Sequence, residues 1–187
     1  MAKIKGFQMK NVKRTIGREG EGCTATLYLN GKRIGAYADY ADGAGGDVDY
    51  ESADAEAEMR KFIISYAKDH PNAYIVNLYK ERPAQYQETC ENFKKMFPYI
   101  PNEDITMETM SANDIDYVVD DFLFLYGIEK YYKKVQKNGY HAVFASDKRG
   151  EFIAYPANWN NKRIEDDIKK DGMTGKIYYE LSDFDIE

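Results

Sequence analysis

Polar and apolar side chains alternate through CTATLYLNGKRIGAYADY, residues 23–40, with the period of two expected of half-buried strands, interrupted at Asn30-Gly31. Asn-Gly between two such runs predicts a hairpin, because both central positions of a type I′ turn need positive φ. The preceding FQMKNVKRTIG (7–17) is a third strand, joined through the glycine-rich turn GREGEG. An antiparallel meander over the first fifty residues is the natural assembly.

From Ser52 the period becomes helical. Ala55, Met59, Phe62, Ile63, Tyr66 and Ala67 fall on one stripe, with Asp54 and Glu56 in the first turn, where the helix dipole favours anions; Pro71 closes it. AYIVNLY (73–79) is a short apolar run that periodicity assigns to neither a strand nor a helix. Pro83 starts a second helix, with Tyr86, Cys90, Phe93 and Phe97 at helical spacing and Pro98 as its stop. A third helix is predicted after Ser111, with Ile115, Val118, Val119, Phe122 and Leu125 facing one way. Gly127 marks a kink or a break on its way to Asn138-Gly139. YHAVFASDKRGEFIAYP reads as a hairpin around Asp147–Gly150 and NNKRIEDDIKKDG as a short helix with Ile164 and Ile168 inward. GKIYYEL follows as a last strand and SDFDIE as an acidic tail. The class is α+β: an N-terminal antiparallel meander, a helical middle, then a C-terminal hairpin with a short helix and final strand. With no repeat and no long linker, one domain over 1–187 is expected, with sub-lobes at 1–51, 52–138 and 139–187.

Composition sharpens this little. The chain has 187 residues, 43% of them hydrophobic and 14% aromatic, enough for a core. Tyrosine, with 17 copies, suits a thin core or an adhesive surface, since its ring can be buried while its hydroxyl stays wet. No apolar run has the length to cross a bilayer, and MAKIKGFQMKNVKR lacks the apolar stretch of a signal peptide. A cytoplasmic protein is expected. Cys23 and Cys90 have no metal-type spacing and read as free buried thiols.

Charge changes the picture more. The net charge is −6, but residues 1–18 carry six bases and no acid, whereas 39–58 and 96–129 each carry eight acids and no base. Lys130, Lys133, Lys134 and Lys137 then follow within eight residues. The most acidic stretch is GAYADYADGAGGDVDYES (35–52). As an EF-hand loop starting at Asp42 it fails, because Ala44 and Gly46 fall where oxygen ligands are required. A calcium-binding nonapeptide would need tandem copies. A phosphate cradle is excluded by five carboxylates without a lysine or arginine. Two readings remain: a solvated connection from sheet to helix, or a row of carboxylates that a phosphate-binding protein takes for nucleic acid.

Catalysis has little support. His70 stands at a helix end and His141 at a strand start, and no G-x-S-x-G, P-loop or helical H-E-x-x-H occurs. Asp147 with Asp167-Ile168-Lys169 imitates a D…(D/E)-x-K metal site, but its second half falls on an amphipathic helix. No enzyme activity, metal or cofactor is expected. Nucleic-acid contact is more credible, through Lys3, Lys5, Lys10, Lys13, Arg14 and Arg18 on or before the first strand and through Tyr131, Tyr132, Lys133 and Lys134.

The chain, and EGCTATLYLNGKRIGAYADYADGAGGDVDYES above all, resembles type II-A anti-CRISPR proteins, which phages and mobile elements use to inhibit an RNA-guided DNA nuclease. The resemblance implies a protein partner, a guide-RNA-loaded CRISPR effector nuclease in a bacterial host cell, with no membrane and no small-molecule substrate. Such nucleases hold nucleic acid in strongly positive channels. Acting as a DNA mimic, the chain would meet them with Asp39, Asp42, Asp47, Asp49, Glu51, Asp114, Asp116, Asp120 and Asp121. The alternative is a nucleic-acid-binding accessory protein that uses the basic strand and the Tyr/Lys patch.

Overall fold

The computed structural model describes residues 1–98, 100–111, 115–147 and 151–186. Five strands come first: β1 (Lys3–Ile4), β2 (Phe7–Gly17), β3 (Gly20–Leu29), β4 (Lys32–Ala38) and β5 (Asp47–Tyr50). Five helices follow: α1 (Ala53–Asp69), α2 (Ala73–Glu81), α3 (Pro83–Met96), α4 (Met107–Ser111) and α5 (Ile115–Gln136). The chain then forms β6 (Tyr140–Ser146), β7 (Phe152–Pro156), α6 (Asn161–Lys170), β8 (Gly175–Tyr178) and β9 (Asp185–Ile186). The fold is α+β in the expected order of strands, helical middle and C-terminal hairpin. It divides into two compact units, residues 9–120 and residues 1–8 with 121–187.

In the unit of residues 9–120, the strands run in the order β5-β4-β3-β2. Asn30 and Gly31 take φ of 51° and 80°, which is the type I′ pattern, and β3 pairs antiparallel with β4, slipping register between Leu27 and Tyr28. Leu27, Leu29, Ile34 and Tyr37 are buried, as are Met59 and Ile63 on α1, which packs on β4 and β5. Ser52 caps α1 by accepting from the Ala55 amide at 3.2 Å. The ambiguous 73–79 run is helical. The side-chain oxygen of Asn72 accepts from the Tyr74 and Ile75 amides at 2.9 and 3.3 Å, a cap that apolar periodicity does not reveal. One further departure matters for function: residues 47–50 are not a loop but the strand β5, paired antiparallel with β4.

In the unit of residues 1–8 and 121–187, Lys5 and Gly6 (φ 44° and 88°) make the turn that brings Ile4 opposite Phe7. At the acidic end of the chain residues 181–184 form a 3-10 turn, and β9 pairs parallel with β1. Phe184, fully buried, lies against Tyr132 and Tyr178. The α5 helix passes through Gly127 without a break, and Phe122, Leu125, Ile128 and Tyr132 continue its buried stripe. The sheet β7-β6-β8 is packed by α6, whose Ile164 and Ile168 join Ala142, Phe144 and Tyr155 in one core. The predicted tip of the β6–β7 hairpin at 148–150 lies outside the described residues.

Candidate functional site

The acidic stretch is built from β4 outward. At the end of that strand the Asp39 amide donates to Cys23 O at 2.8 Å, and the Asp39 carboxylate accepts from the Ala41 amide at 2.7 Å, an Asx turn. Thr15 Oγ1 donates to Asp39 O at 2.8 Å and the Glu19 amide to Ala41 O at 2.7 Å, so β2 and β3 hold the first half of the loop. Gly17 is required there, because a Cβ on it would stand 2.0 Å from Tyr40 O. The second half is held by Asp116. Its two oxygens accept from the Tyr37 hydroxyl at 2.6 Å and from the Gly46 amide at 2.9 Å. A Cβ on Gly46 would lie 2.1 Å from that same hydroxyl. Burial, and then the Asp116 hydrogen bond, raise the Tyr37 pKa far above its ordinary value. Burial likewise pushes the neighbouring Cys23 thiol up to about 11, helped by Asp39, Asp116 and Asp120.

With its loop fixed at both ends, β5 becomes the edge of its sheet. Val48 and Tyr50 turn inward and are half-buried, whereas Asp47 and Asp49 are exposed on the other face. Alternate residues of a strand lie about 6.6–6.8 Å apart, so these two carboxylates form a short outward row. The neighbouring acids divide into two groups. Glu51 pairs with Arg33 at 2.9 Å, Glu56 with Arg60 at 2.8 Å and Glu58 with Lys32 at 3.3 Å. Asp42, Asp47, Asp49 and Asp54 are exposed, with no lysine or arginine of the described residues within ion-pair distance.

Several expected contacts change role. Asp116 is half-buried and serves the loop, and Asp39 and Glu51 are committed to an amide and to an arginine. Asp120 is exposed, Asp121 half-buried, and Asp114 lies outside the described residues. On the basic strand, Lys10 lies 4.2 Å over the Tyr28 ring, while Arg14 and Arg18 pair with Glu21 and Glu19; Lys13 is exposed. Tyr132 is 2% exposed and donates to Tyr179 O at 2.6 Å, so it offers no face to a base. Tyr131 is half-buried against Phe152, and Lys133 is bound to the buried Glu129; Lys134 is exposed. Sequence reasoning missed the Asp116 latch because its partners are 70 and 79 positions away, with no local signal. The two cysteines are free, and no three His, Cys, Asp or Glu side chains among the described residues converge as metal ligands do. No protein-family model matches the chain, and neither a curated protein nor a solved structure is significantly similar to it.

Proposed function

We propose that this protein is a non-catalytic inhibitor of an RNA-guided DNA nuclease, binding the guide-loaded enzyme in the bacterial cytoplasm and occupying its cationic nucleic-acid channel. The observation that carries the reading is the outward pair Asp47 and Asp49 on a fixed edge strand. Asp42 and Asp54 stand near it in sequence, and all four lack a basic partner among the described residues. Carboxylates crowded in this way repel one another, and a lysine- or arginine-lined groove removes that repulsion on binding. Rigid placement by Asp116 and by the β4 ladder lowers the ordering entropy of such an encounter. The resemblance to type II-A anti-CRISPR proteins supplies the partner class.

The test is co-elution with guide-loaded nuclease, run beside a DNA-cleavage assay. The parent protein should co-elute and inhibit. The variant Asp42→Asn/Asp47→Asn/Asp49→Asn/Asp54→Asn should need at least about ten times more protein for equal inhibition, a loss of roughly 1.4 kcal/mol. Equal inhibition by parent and variant would remove the acidic surface from the mechanism. Absence of co-elution would remove the partner.

A further inference from the structure

The buried stripe of α5 leaves a basic opposite side. Lys130, Lys133 and Lys134 on the helix and Lys137 in the turn that closes it are all exposed, and with Asn138 they line an open groove of about 410 Å³. Lys133 is neutralised by the buried Glu129. The other three have no carboxylate of the described residues within ion-pair distance, although the chain carries 32 acids. Like charges at i and i+4, as at Lys130 and Lys134, disfavour a helix. The helix dipole compensates in the last turn, but Lys130 lies before that turn.

We infer that Lys130, Lys134 and Lys137 form a binding row for the phosphate backbone of single-stranded nucleic acid, with the Tyr140 ring as a stacking face. At 1.5 Å per residue the row spans about 10 Å. Each of the three lysines can neutralise one phosphate of a strand laid along that row, Lys130 from its place 5.3 Å over the Tyr126 ring. Tyr140 opens β6 two residues after Asn138 and is 39% exposed, so its ring is available for a base to stack on. The surface suits other anionic partners less well. The apolar stripe of α5 is buried, so a lipid surface gains no apolar insertion from this helix. This inference does not rest on the nuclease-inhibitor reading, since no acid of that surface takes part.

Fluorescence anisotropy of the full chain with a labelled single-stranded oligonucleotide, at 50 and 200 mM KCl, tests it. With three phosphates neutralised, log affinity should fall against log salt with a slope of about −2, roughly a fifteen-fold loss over that range. The variant Lys130→Gln/Lys134→Gln/Lys137→Gln, at unchanged melting temperature, should bind at least about ten times more weakly, with a slope near zero, whereas the corresponding triple arginine variant should retain binding. Tyr140→Ala should weaken binding about five-fold or more with the slope unaltered, because stacking releases no counterions. An unchanged affinity in the glutamine variant overturns the proposal. So does failure of the parent to bind at 50 mM KCl, or binding to phosphatidylglycerol vesicles without binding to the oligonucleotide.

Discussion

Asp116 satisfies two donors from a segment seventy or more positions earlier, the Tyr37 hydroxyl and the Gly46 amide, and so holds β5 where it lies. Removing its carboxylate leaves both donors without that acceptor, and Asp116→Ala should lower stability by about 1–3 kcal/mol. Gly46→Ala drives a methyl group into the Tyr37 ring and should lower stability by about the same amount, roughly 1–3 kcal/mol. Because both changes break one latch, the double variant should lose clearly less than the sum of the two. Urea unfolding midpoints measure this, and full additivity would dissolve the latch. Exchanging the exposed Asp47 or Asp49 for asparagine should move the same midpoint by less than about 0.5 kcal/mol, which separates presentation from support.

At the scale of elements, α5 carries a second carboxylate that holds distant groups, and this one is buried. Glu129 is 1% exposed; burial acts to raise its pKa, but the Lys133 ammonium, the Ala2 amide and the Met1 amino group outweigh it, and the net shift is downward. A carboxylate whose folded pKa lies below its unfolded one adds stability above the ordinary glutamate range, and that contribution disappears as pH falls through the folded value. Lys133→Gln removes one of these partners and should cost about 1–3 kcal/mol at pH 7. The loss should shrink in acid, as read from thermal midpoints at pH 7 and pH 3. An equal loss at both values would assign Lys133 a packing role only. The same helix shows where sequence is legible. Its apolar period, the Asn30-Gly31 turn and the Ser52 cap are local signals, and each produced the element expected of it. The short strands β5, β1 and β9 were not visible, because each exists through pairing with a partner and not through its own few residues. The candidate site was visible only as charge. Which acids face solvent and which hold an arginine or an amide depends on register and on contacts distant in sequence.

At the scale of the whole molecule, buried tyrosines should set the alkaline limit. Burial, with nearby carboxylates, pushes Tyr155 and Tyr178 up to about 12, and Cys23 stands at about 11. Groups whose folded pKa exceeds the unfolded one favour the fold most fully below the unfolded value. That benefit is lost as pH climbs through the folded value. Stability should therefore decline from about pH 9 and fall steeply between about 11 and 12, followed by circular dichroism and tyrosinate absorbance together. Tyrosinate appearing well before loss of structure would contradict the assignment. The acids of β5 have one more consequence. A four-residue strand at a sheet margin offers its backbone to any passing strand, including that of a sister molecule, and like-charged side chains there make self-templated stacking electrostatically unfavourable. The charges proposed to attract a foreign surface thus also disfavour edge-to-edge pairing between identical copies.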